Sequence, residues 1–194
     1  MARRAVFLDR DGVLIRDVHL LTERHQVELY PGASQALRIL KAAGYYIFVV
    51  SNQPVVARGL VTEEDVRSIH EWIQHLLRTS DGGRVDEFYF CPHHPNATQV
   101  RYRIACDCRK PQPGLLLRAA RQFEVELSAS YMVGDRVSDI VAGHRAGCHT
   151  ILVTTGEHTA PPIESVAAYD PFTKPDHACR DLPAAAALIL GTLA

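Results

Sequence analysis

The stretch Ala5-Val6-Phe7-Leu8-Asp9-Arg10-Asp11-Gly12 joins four apolar residues to a turn that carries two acids. A short apolar run that ends in turn residues is typical of a strand buried on both faces of a parallel sheet. Further strands of this kind are predicted downstream, at 45–50, 87–90, 131–133 and 151–153. We therefore expect a central parallel sheet, with polar residues placed directly after each strand.

Segments with a helical spacing of apolar residues alternate with these strands. They are predicted at 33–43, 62–77, 114–123, 138–146 and 183–193, and the Pro-rich stretch 155–175 is expected to be irregular. This alternation predicts an α/β fold, a three-layer Rossmann-like sandwich with right-handed crossovers. No long insertion interrupts the pattern, so we expect no large cap domain.

Length and charge limit the class of protein. The chain has 194 residues, with 21 Lys and Arg against 22 Asp and Glu and a formal net charge of −1. This length suits one domain, residues 1–194, and the balanced charge argues against a general nucleic-acid binder. No signal peptide or bilayer-spanning stretch is evident, so we expect a cytoplasmic protein with no membrane partner. No heptad or spare apolar stripe is present, and we expect a monomer.

Acidic residues follow two of the predicted strands. Asp9 and Asp11 come after the first strand and Asp135 after the fourth, at the strand ends where parallel sheets bind ligands. Carboxylates so placed favour a divalent metal site, or a nucleophile with an acid–base partner. An ordinary turn at Gly12 explains the first two acids equally well when they are taken alone. The joint placement of all three favours the chemical interpretation.

Three of the five cysteines fall within residues 91–108, a stretch without helix or strand pattern. Two short-spaced pairs of ligand-type residues occur there: Cys91 with His93, and Cys106 with Cys108. Three thiolates and one imidazole are a typical donor set of closed, structural Zn²⁺ sites. We predict a zinc-binding loop, in which His94 is a less favoured alternative to His93. The remaining cysteines, at 148 and 179, are expected to be small apolar residues.

Four stretches of the chain resemble the signature motifs of the haloacid dehalogenase (HAD) superfamily of phosphohydrolases. In chain order they are Phe7-Leu8-Asp9-Arg10-Asp11-Gly12-Val13, Val50-Ser51-Asn52-Gln53, Arg109-Lys110-Pro111 and Met132-Val133-Gly134-Asp135. Four motifs in the right order are a specific signal, whereas any one of them is weak. The resemblance implies a HAD-like fold and a Mg²⁺-dependent phosphomonoesterase.

The resemblance also implies a role for each matching residue. Asp9 is the expected nucleophile, which forms an aspartyl-phosphate, and Asp11 is the expected general acid and base. Ser51 and Lys110 are expected to hold the phosphoryl oxygens. The expected Mg²⁺ ligands are the carboxylates of Asp9 and Asp135 and the backbone carbonyl of Asp11, with Asp139 beside them as a supporting acid.

The sequence of the predicted zinc loop narrows the resemblance to one family within the superfamily. Cys91-Pro92-His93-His94-Pro95 and Cys106-Asp107-Cys108-Arg109-Lys110-Pro111 are similar to the bacterial D-glycero-D-manno-heptose 1,7-bisphosphate 7-phosphatases. This similarity implies a small sugar bisphosphate as substrate, in the synthesis of ADP- or GDP-heptose precursors. A surplus of cations fits a substrate with two phosphates. The expected substrate-binding residues are Asn52, Gln53, Arg58, Arg109 and Arg136.

Two stretches depart from that family's pattern. Asp17-Val18-His19-Leu20 stands where a Gly-Tyr pair is usual, and Pro54 replaces a small residue. Both lie where the sugar would be recognised, so the sugar and its anomer stay open. Histidinol phosphate is the alternative substrate, because its phosphatases carry a similar zinc loop with a shorter gap. A polynucleotide-end phosphatase and a non-enzymatic zinc-knuckle module are more distant alternatives, since the first needs a basic groove and the second leaves the acids unexplained.

Overall fold

The computed structural model describes residues 3–156 and 171–191, and a six-stranded sheet runs through it. All neighbouring strands are parallel, as predicted. The strands are β1 (Arg4–Leu8), β2 (Tyr45–Asn52), β3 (Glu87–Cys91), β4 (Tyr131–Gly134), β5 (His149–Val153) and β6 (His177–Cys179). Their order across the sheet is β3-β2-β1-β4-β5-β6, which places β1 and β4 side by side in the middle. The five predicted strands are present, and β6 is an addition.

The α-helices of the described residues include all five that the sequence predicts. They are α1 (Ala33–Ala42), α2 (Pro54–Ala57), α3 (Glu63–Asp81), α4 (Gly114–Phe123), α5 (Val137–Ala146) and α6 (Leu182–Ile189). The short α2 was not expected, and α6 ends before the predicted boundary at residue 193. Residues 157–170 and 192–194 lie outside the described residues, and so does most of the stretch expected to be irregular.

Helices cover both faces of the sheet. Val6 and Leu8 of β1 join a buried cluster with α1, α3 and α6, whereas Ala5 and Phe7 join one with α4 and α5. This division follows from the strand itself, in which successive side chains point to opposite faces. All four side chains are fully buried. The three-layer prediction is therefore confirmed.

The sheet register brings the first and fourth strand ends together. Leu8 is paired with Val133, and the next residue, Asp9, donates its backbone N–H to the Val133 carbonyl at 3.0 Å. Asp135 follows β4 directly, so the two acids meet at the carboxyl edge of the sheet. Within residues 3–156 and 171–191, no helix has both the length and the apolar character needed to cross a membrane.

Candidate active site

Three aspartates form a buried cluster at the carboxyl edge of the sheet. Carboxylate oxygens of Asp9, Asp135 and Asp139 lie within 4.8 Å of one another. Asp139 sits in the first turn of α5 and is fully buried, and its Oδ2 accepts the backbone N–H of Arg136 at 3.0 Å. Neither carboxylate oxygen of Asp135 has a hydrogen-bond partner within residues 3–156 and 171–191, although both are buried. Buried polar atoms are rarely left unpaired, which indicates a position for a ligand.

Two glycines leave room for the Asp135 carboxylate. A Cβ atom at Gly12 or at Gly156 would collide with Asp135 Oδ2. Gly12 also has a φ of +82°, a backbone conformation that other residues adopt only at a cost. A hydrogen bond also fixes the loop after β1, because the Thr155 hydroxyl donates to the Gly12 carbonyl at 2.6 Å. The backbone therefore packs closely around one carboxylate.

Lys110 bridges two of the three aspartates. Its Nζ lies 2.9 Å from Asp9 Oδ1 and 2.6 Å from Asp139 Oδ1, and it also donates to the Val50 carbonyl at 2.7 Å. Asn52 fixes the Lys110 backbone from both sides. Its amide donates to the Lys110 carbonyl and its Oδ1 accepts the Lys110 N–H, each at 3.0 Å. The motif at the end of β2 thus positions the lysine.

The cluster holds more negative than positive charge. Burial raises the pKa of Asp9 from 3.8 to about 7, although Lys110 opposes this shift. Burial, reinforced by the charges of Asp9 and Asp139, raises the pKa of Asp135 to about 8. Burial alone would lower the pKa of Lys110, but its pairs with Asp139 and Asp9 outweigh that effect and raise it. If all three carboxylates ionise, one ammonium group leaves two negative charges to balance, which suits a divalent cation with oxygen ligands.

The carboxylate of Asp11 turns away from this cluster toward a buried arginine. Arg10 Nη2 lies 3.0 Å from both oxygens of Asp11, and its Nε donates to Oδ2 at 3.1 Å. Gln53 completes the contact, because its amide donates to Asp11 Oδ2 at 3.1 Å while its Oε1 accepts from Arg10 Nη2 at 2.9 Å. The same amide donates to Ser51 Oγ at 2.9 Å. Gln53, predicted as a substrate ligand, also organises the predicted acid–base residue.

A cleft of about 360 Å³ opens over the cluster. All five predicted substrate-binding residues line it, and so do residues of both stretches that depart from the family pattern. The lining includes Asp9, Asp11, Asn52, Gln53, Arg58, Arg109, Lys110 and Arg136 from the predicted set, and Asp17, His19, Leu20 and Pro54 from the departures. Ser51, which was predicted to hold a phosphoryl oxygen, is not among the residues that line the cleft. It is fully buried, and its hydroxyl accepts a hydrogen bond from the Gln53 amide.

The first stretch that departs from the family pattern contacts Arg136, which also lines the cleft. Arg136 Nη2 lies 3.0 Å from Asp17 Oδ2, and the Asp17 side chain is only 7% exposed. His19 has a φ of +69°, and its N–H donates to Asp17 Oδ1 at 2.6 Å. The second departure, Pro54, occupies the first turn of α2, where a missing N–H has little cost. Both departures therefore shape the surface on which a substrate would rest.

The predicted zinc ligands converge in a second group. Sulfur atoms of Cys91, Cys106 and Cys108 lie 3.1 to 3.6 Å apart, and His93 Nδ1 lies 3.3 Å from Cys108 Sγ and 3.5 Å from Cys91 Sγ. None of the cysteines forms a disulfide. A tetrahedral site with Zn–S bonds of about 2.3 Å has ligand atoms about 3.8 Å apart, so the group matches a slightly contracted zinc tetrahedron.

The thiol group adjoins the cationic wall of the cleft. Hydrogen bonding with Cys91, then burial, raises the pKa of Cys108, so this thiol keeps its proton unless a cation replaces it. Arg109 follows directly in the chain, and its Nη1 donates to the His93 carbonyl at 3.1 Å. His94, the alternative ligand, lines the cleft instead.

The chain resembles characterised phosphatases over most of its length. A family model described as HAD-hydrolase-like matches residues 107–185. A D-glycero-beta-D-manno-heptose-1,7-bisphosphate 7-phosphatase of Rhodopseudomonas palustris is 45% identical over 145 residues, which cover 75% of this chain and 80% of that protein. The protein of the same name in Escherichia coli K12 is 40% identical over 164 residues, which cover 84% of this chain and 85% of its own.

Solved structures extend this similarity to the fold. The D,D-heptose 1,7-bisphosphate phosphatase of B. bronchiseptica, complexed with magnesium and phosphate, has a TM-score of 0.81 and 31% identity, and covers 97% of this chain and 98% of its own. The corresponding protein of Burkholderia thailandensis has a TM-score of 0.67 and 26% identity, with coverage of 97% and 99%. The HAD-like fold predicted from the motifs is confirmed.

Proposed function

Because this chain belongs to the D-glycero-β-D-manno-heptose-1,7-bisphosphate 7-phosphatases of the HAD-like hydrolases, we propose that it removes the 7-phosphate of that sugar bisphosphate through an aspartyl-phosphate. It is a phosphoric monoester hydrolase. The observation that carries the proposal is the buried aspartate cluster beside a cleft lined by cations. An acidic centre alone repels phosphate, so the surrounding cations are needed for binding.

Magnesium fits the acidic centre. Among the described residues neither oxygen of Asp135 has a hydrogen-bond partner, and the pKa of Asp9 stays raised although Lys110 pairs with it, so the centre has room for more positive charge. Asp9, Asp135 and the backbone carbonyl of Asp11 would hold the ion, and Asp139 would support them. When bound, Mg²⁺ neutralises the approaching phosphate and favours the ionised form of Asp9.

The residues around the cluster divide the reaction between them. A carboxylate oxygen of Asp9 forms a bond to phosphorus while the bond from phosphorus to the sugar oxygen breaks. Asp11 gives a proton to that leaving oxygen and later takes one from the water that hydrolyses the aspartyl-phosphate. Lys110 stabilises the charge that develops on the phosphoryl oxygens, and Asn52 keeps it in place.

The cleft has the size and charge for a second phosphate. Its volume of about 360 Å³ suits a small phosphorylated sugar. Arg58, Arg109 and Arg136 line it in addition to Lys110, which already serves the reacting phosphate. Guanidinium groups bind phosphate through paired hydrogen bonds, so this wall favours a bisphosphate over a monophosphate.

Zinc fits the thiol group as a structural ion. The donor set of Cys91, His93, Cys106 and Cys108 leaves no open position for a substrate. When bound, Zn²⁺ would cross-link the loop, and the contact of Arg109 with the His93 carbonyl would then fix a cation at the cleft. The single-domain organisation, the monomeric state and the cytoplasmic location stay predictions.

The decisive experiment compares kcat/KM for a panel of phosphate esters in the presence of Mg²⁺. We expect the β anomer of the heptose bisphosphate to be preferred over the α anomer, histidinol phosphate and simple sugar phosphates. Asp9→Asn should lower every activity by at least about 10³-fold, because it removes the nucleophile. The matched control is Asp81→Asn, an exposed acid at the end of α3. A preference for histidinol phosphate, or full activity of Asp9→Asn, would contradict the proposal.

A further inference from the structure

Behind Asp11 lies a buried contact chain that ends at a histidine of α3. The Arg10 side chain is only 2% exposed, and its guanidinium group has three polar neighbours in the part of the chain that the structure describes. They are the Asp11 carboxylate, Gln53 Oε1 at 2.9 Å and His70 Nε2, which lies 3.4 Å from Arg10 Nη1. A buried guanidinium group needs such partners, because it keeps its charge at any physiological pH.

His70 is held in place by two aromatic rings of β3. Its ring stacks on Phe88 with centroids 4.7 Å apart and meets Phe90 edge-on at 5.7 Å. The residue is 4% exposed, and the other buried residues of α3 are aliphatic: Val66, Ile69, Ile73 and Leu77. Packing alone would favour another aliphatic side chain at this position. The polar atom that faces Arg10 is what distinguishes the histidine.

The imidazole is neutral in this setting. Burial lowers the pKa of His70 well below 6.5, and the charge of Arg10 lowers it further. Arginine has only donors, so Nε2 of the neutral ring accepts from Nη1 and the ring proton lies on Nδ1. His70 therefore presents a fixed acceptor on the side of Arg10 remote from the cleft.

We infer that His70 is a positioning residue for the reaction, which orients Arg10 so that the guanidinium group holds the Asp11 carboxylate in place. This inference rests on the proposed function, since it assumes that Asp11 exchanges a proton with the leaving oxygen. The contact is geometric, because Nη2 and Nε of Arg10 both donate to the Asp11 carboxylate and so fix its orientation.

A test follows from the basicity of the leaving group. Departure of an alkoxide requires a proton from Asp11, whereas departure of p-nitrophenolate requires it much less. A misplaced Asp11 should therefore slow hydrolysis of the heptose bisphosphate more than that of p-nitrophenyl phosphate. A loss of folded protein would lower both rates by the same factor.

The informative substitutions are His70→Phe, which keeps a planar ring without the acceptor, and His70→Gln, whose Oε1 restores an acceptor. For His70→Phe we expect kcat for the sugar ester to fall about 10-fold, with less than about a 2-fold fall for the aryl ester and unchanged KM values. His70→Gln should recover most of the loss. The control is His75→Phe, an exposed histidine on the same helix that stacks on Trp72.

The variant Asp11→Asn distinguishes a failure of the inference about His70 from a failure of the proposed role of Asp11. If it slows the sugar ester selectively and His70→Phe does not, the positioning role is overturned while the proposed function stands. If Asp11→Asn shows no such selectivity, the assumed role of Asp11 is itself wrong. Should His70→Phe not fold, Arg10→Lys probes the same chain, because it keeps the charge but loses the paired contact. An equal fall on both esters in that variant would also overturn the inference.

Discussion

The ammonium group of Lys110 lies 2.6 Å from Asp139 Oδ1, and the two side chains are 1% and 0% exposed. An ion pair this deeply buried depends on both of its partners, because removal of one leaves an uncompensated charge. Here the pair also adjoins the proposed nucleophile, since the same Nζ lies 2.9 Å from Asp9 Oδ1. Asp139 therefore supports both the fold and the site.

Replacement of Asp139 by asparagine should destabilise the protein and weaken Mg²⁺ binding. We expect a loss of about 3 kcal/mol, which lowers the melting temperature by about 6 to 12 °C in a chain of this size. Asp86→Asn is the matched control, because its pair with Lys41 is more exposed, at 16% and 17%. Thermal melts and Mg²⁺ titrations of activity would measure both effects. Equal behaviour of the two variants would contradict this account.

Stability without metal should fall as the pH rises. Asp9 and Asp135 have folded-state pKa values of about 7 and about 8, above the ordinary 3.8, so the folded chain binds more protons than the unfolded chain across this interval. Stability is then lost with increasing pH until both groups have ionised. Mg²⁺ reverses the effect by binding the ionised forms.

Melts with and without Mg²⁺ between about pH 5 and about pH 9 would show this linkage. The increase in melting temperature on adding Mg²⁺ should be larger at the alkaline end. Asp135→Asn removes one of the titrating groups and should flatten the profile. A Mg²⁺ effect that shrinks toward alkaline pH would be incompatible with the assigned ligands.

Zinc should copurify with the chain at about one ion per molecule, as a closed four-ligand site requires. Cys108→Ala should lose the metal and lower kcat/KM by about 10-fold or more, because Arg109 and Lys110 follow the loop directly. Cys179→Ala is the control and should keep the zinc, since this cysteine donates to the Asp181 carbonyl and is not one of the four clustered ligand residues. Metal analysis by mass spectrometry decides the point, and stoichiometric zinc in Cys108→Ala would refute the ligand set.

Arg58→Ala and Arg136→Ala should each lower kcat/KM for the bisphosphate more than for a sugar with one phosphate. Each lost charge-assisted contact is worth about 1.5 to 3 kcal/mol, so we expect kcat/KM for the bisphosphate to fall about 10- to 100-fold. The heptose 7-phosphate should be affected much less. Arg78→Ala, on the exposed side of α3, provides a cation-deletion control away from the cleft. Identical losses on the two sugars would show that these residues do not contact the second phosphate.

The sequence was sufficient for the sheet, because each central strand is an apolar run that ends in a turn. It did not indicate β6, since His177-Ala178-Cys179 is too short and too polar for that signal. The short helix α2 was missed as well, because Pro54-Val55-Val56-Ala57 combines a helix start with two β-branched residues. For both segments the local sequence does not determine the secondary structure, and tertiary packing does.

The sequence was sufficient to predict those site residues that directly follow a strand and those that occur in closely spaced Cys and His pairs. Asp9 and Asp135 lie together in one group, and the four zinc-loop residues lie together in another. No pattern indicated that Arg10 pairs with His70 or that Asp17 pairs with Arg136. Such contacts join distant positions, and a single buried histidine on an amphipathic helix carries no signal of its partner.

The pairing of β1 with β4 has a consequence for the order in which the protein assembles. Asp9 emerges early in synthesis, but it meets Asp135 only after Tyr131–Gly134 has docked beside Arg4–Leu8. Closing so long a loop is slow, whereas the cysteines and histidine of the zinc loop are close in the chain. The proposed zinc site can therefore form on a nascent chain well before the three aspartates come together. Hydrolytic activity should be the last property that the folding chain acquires.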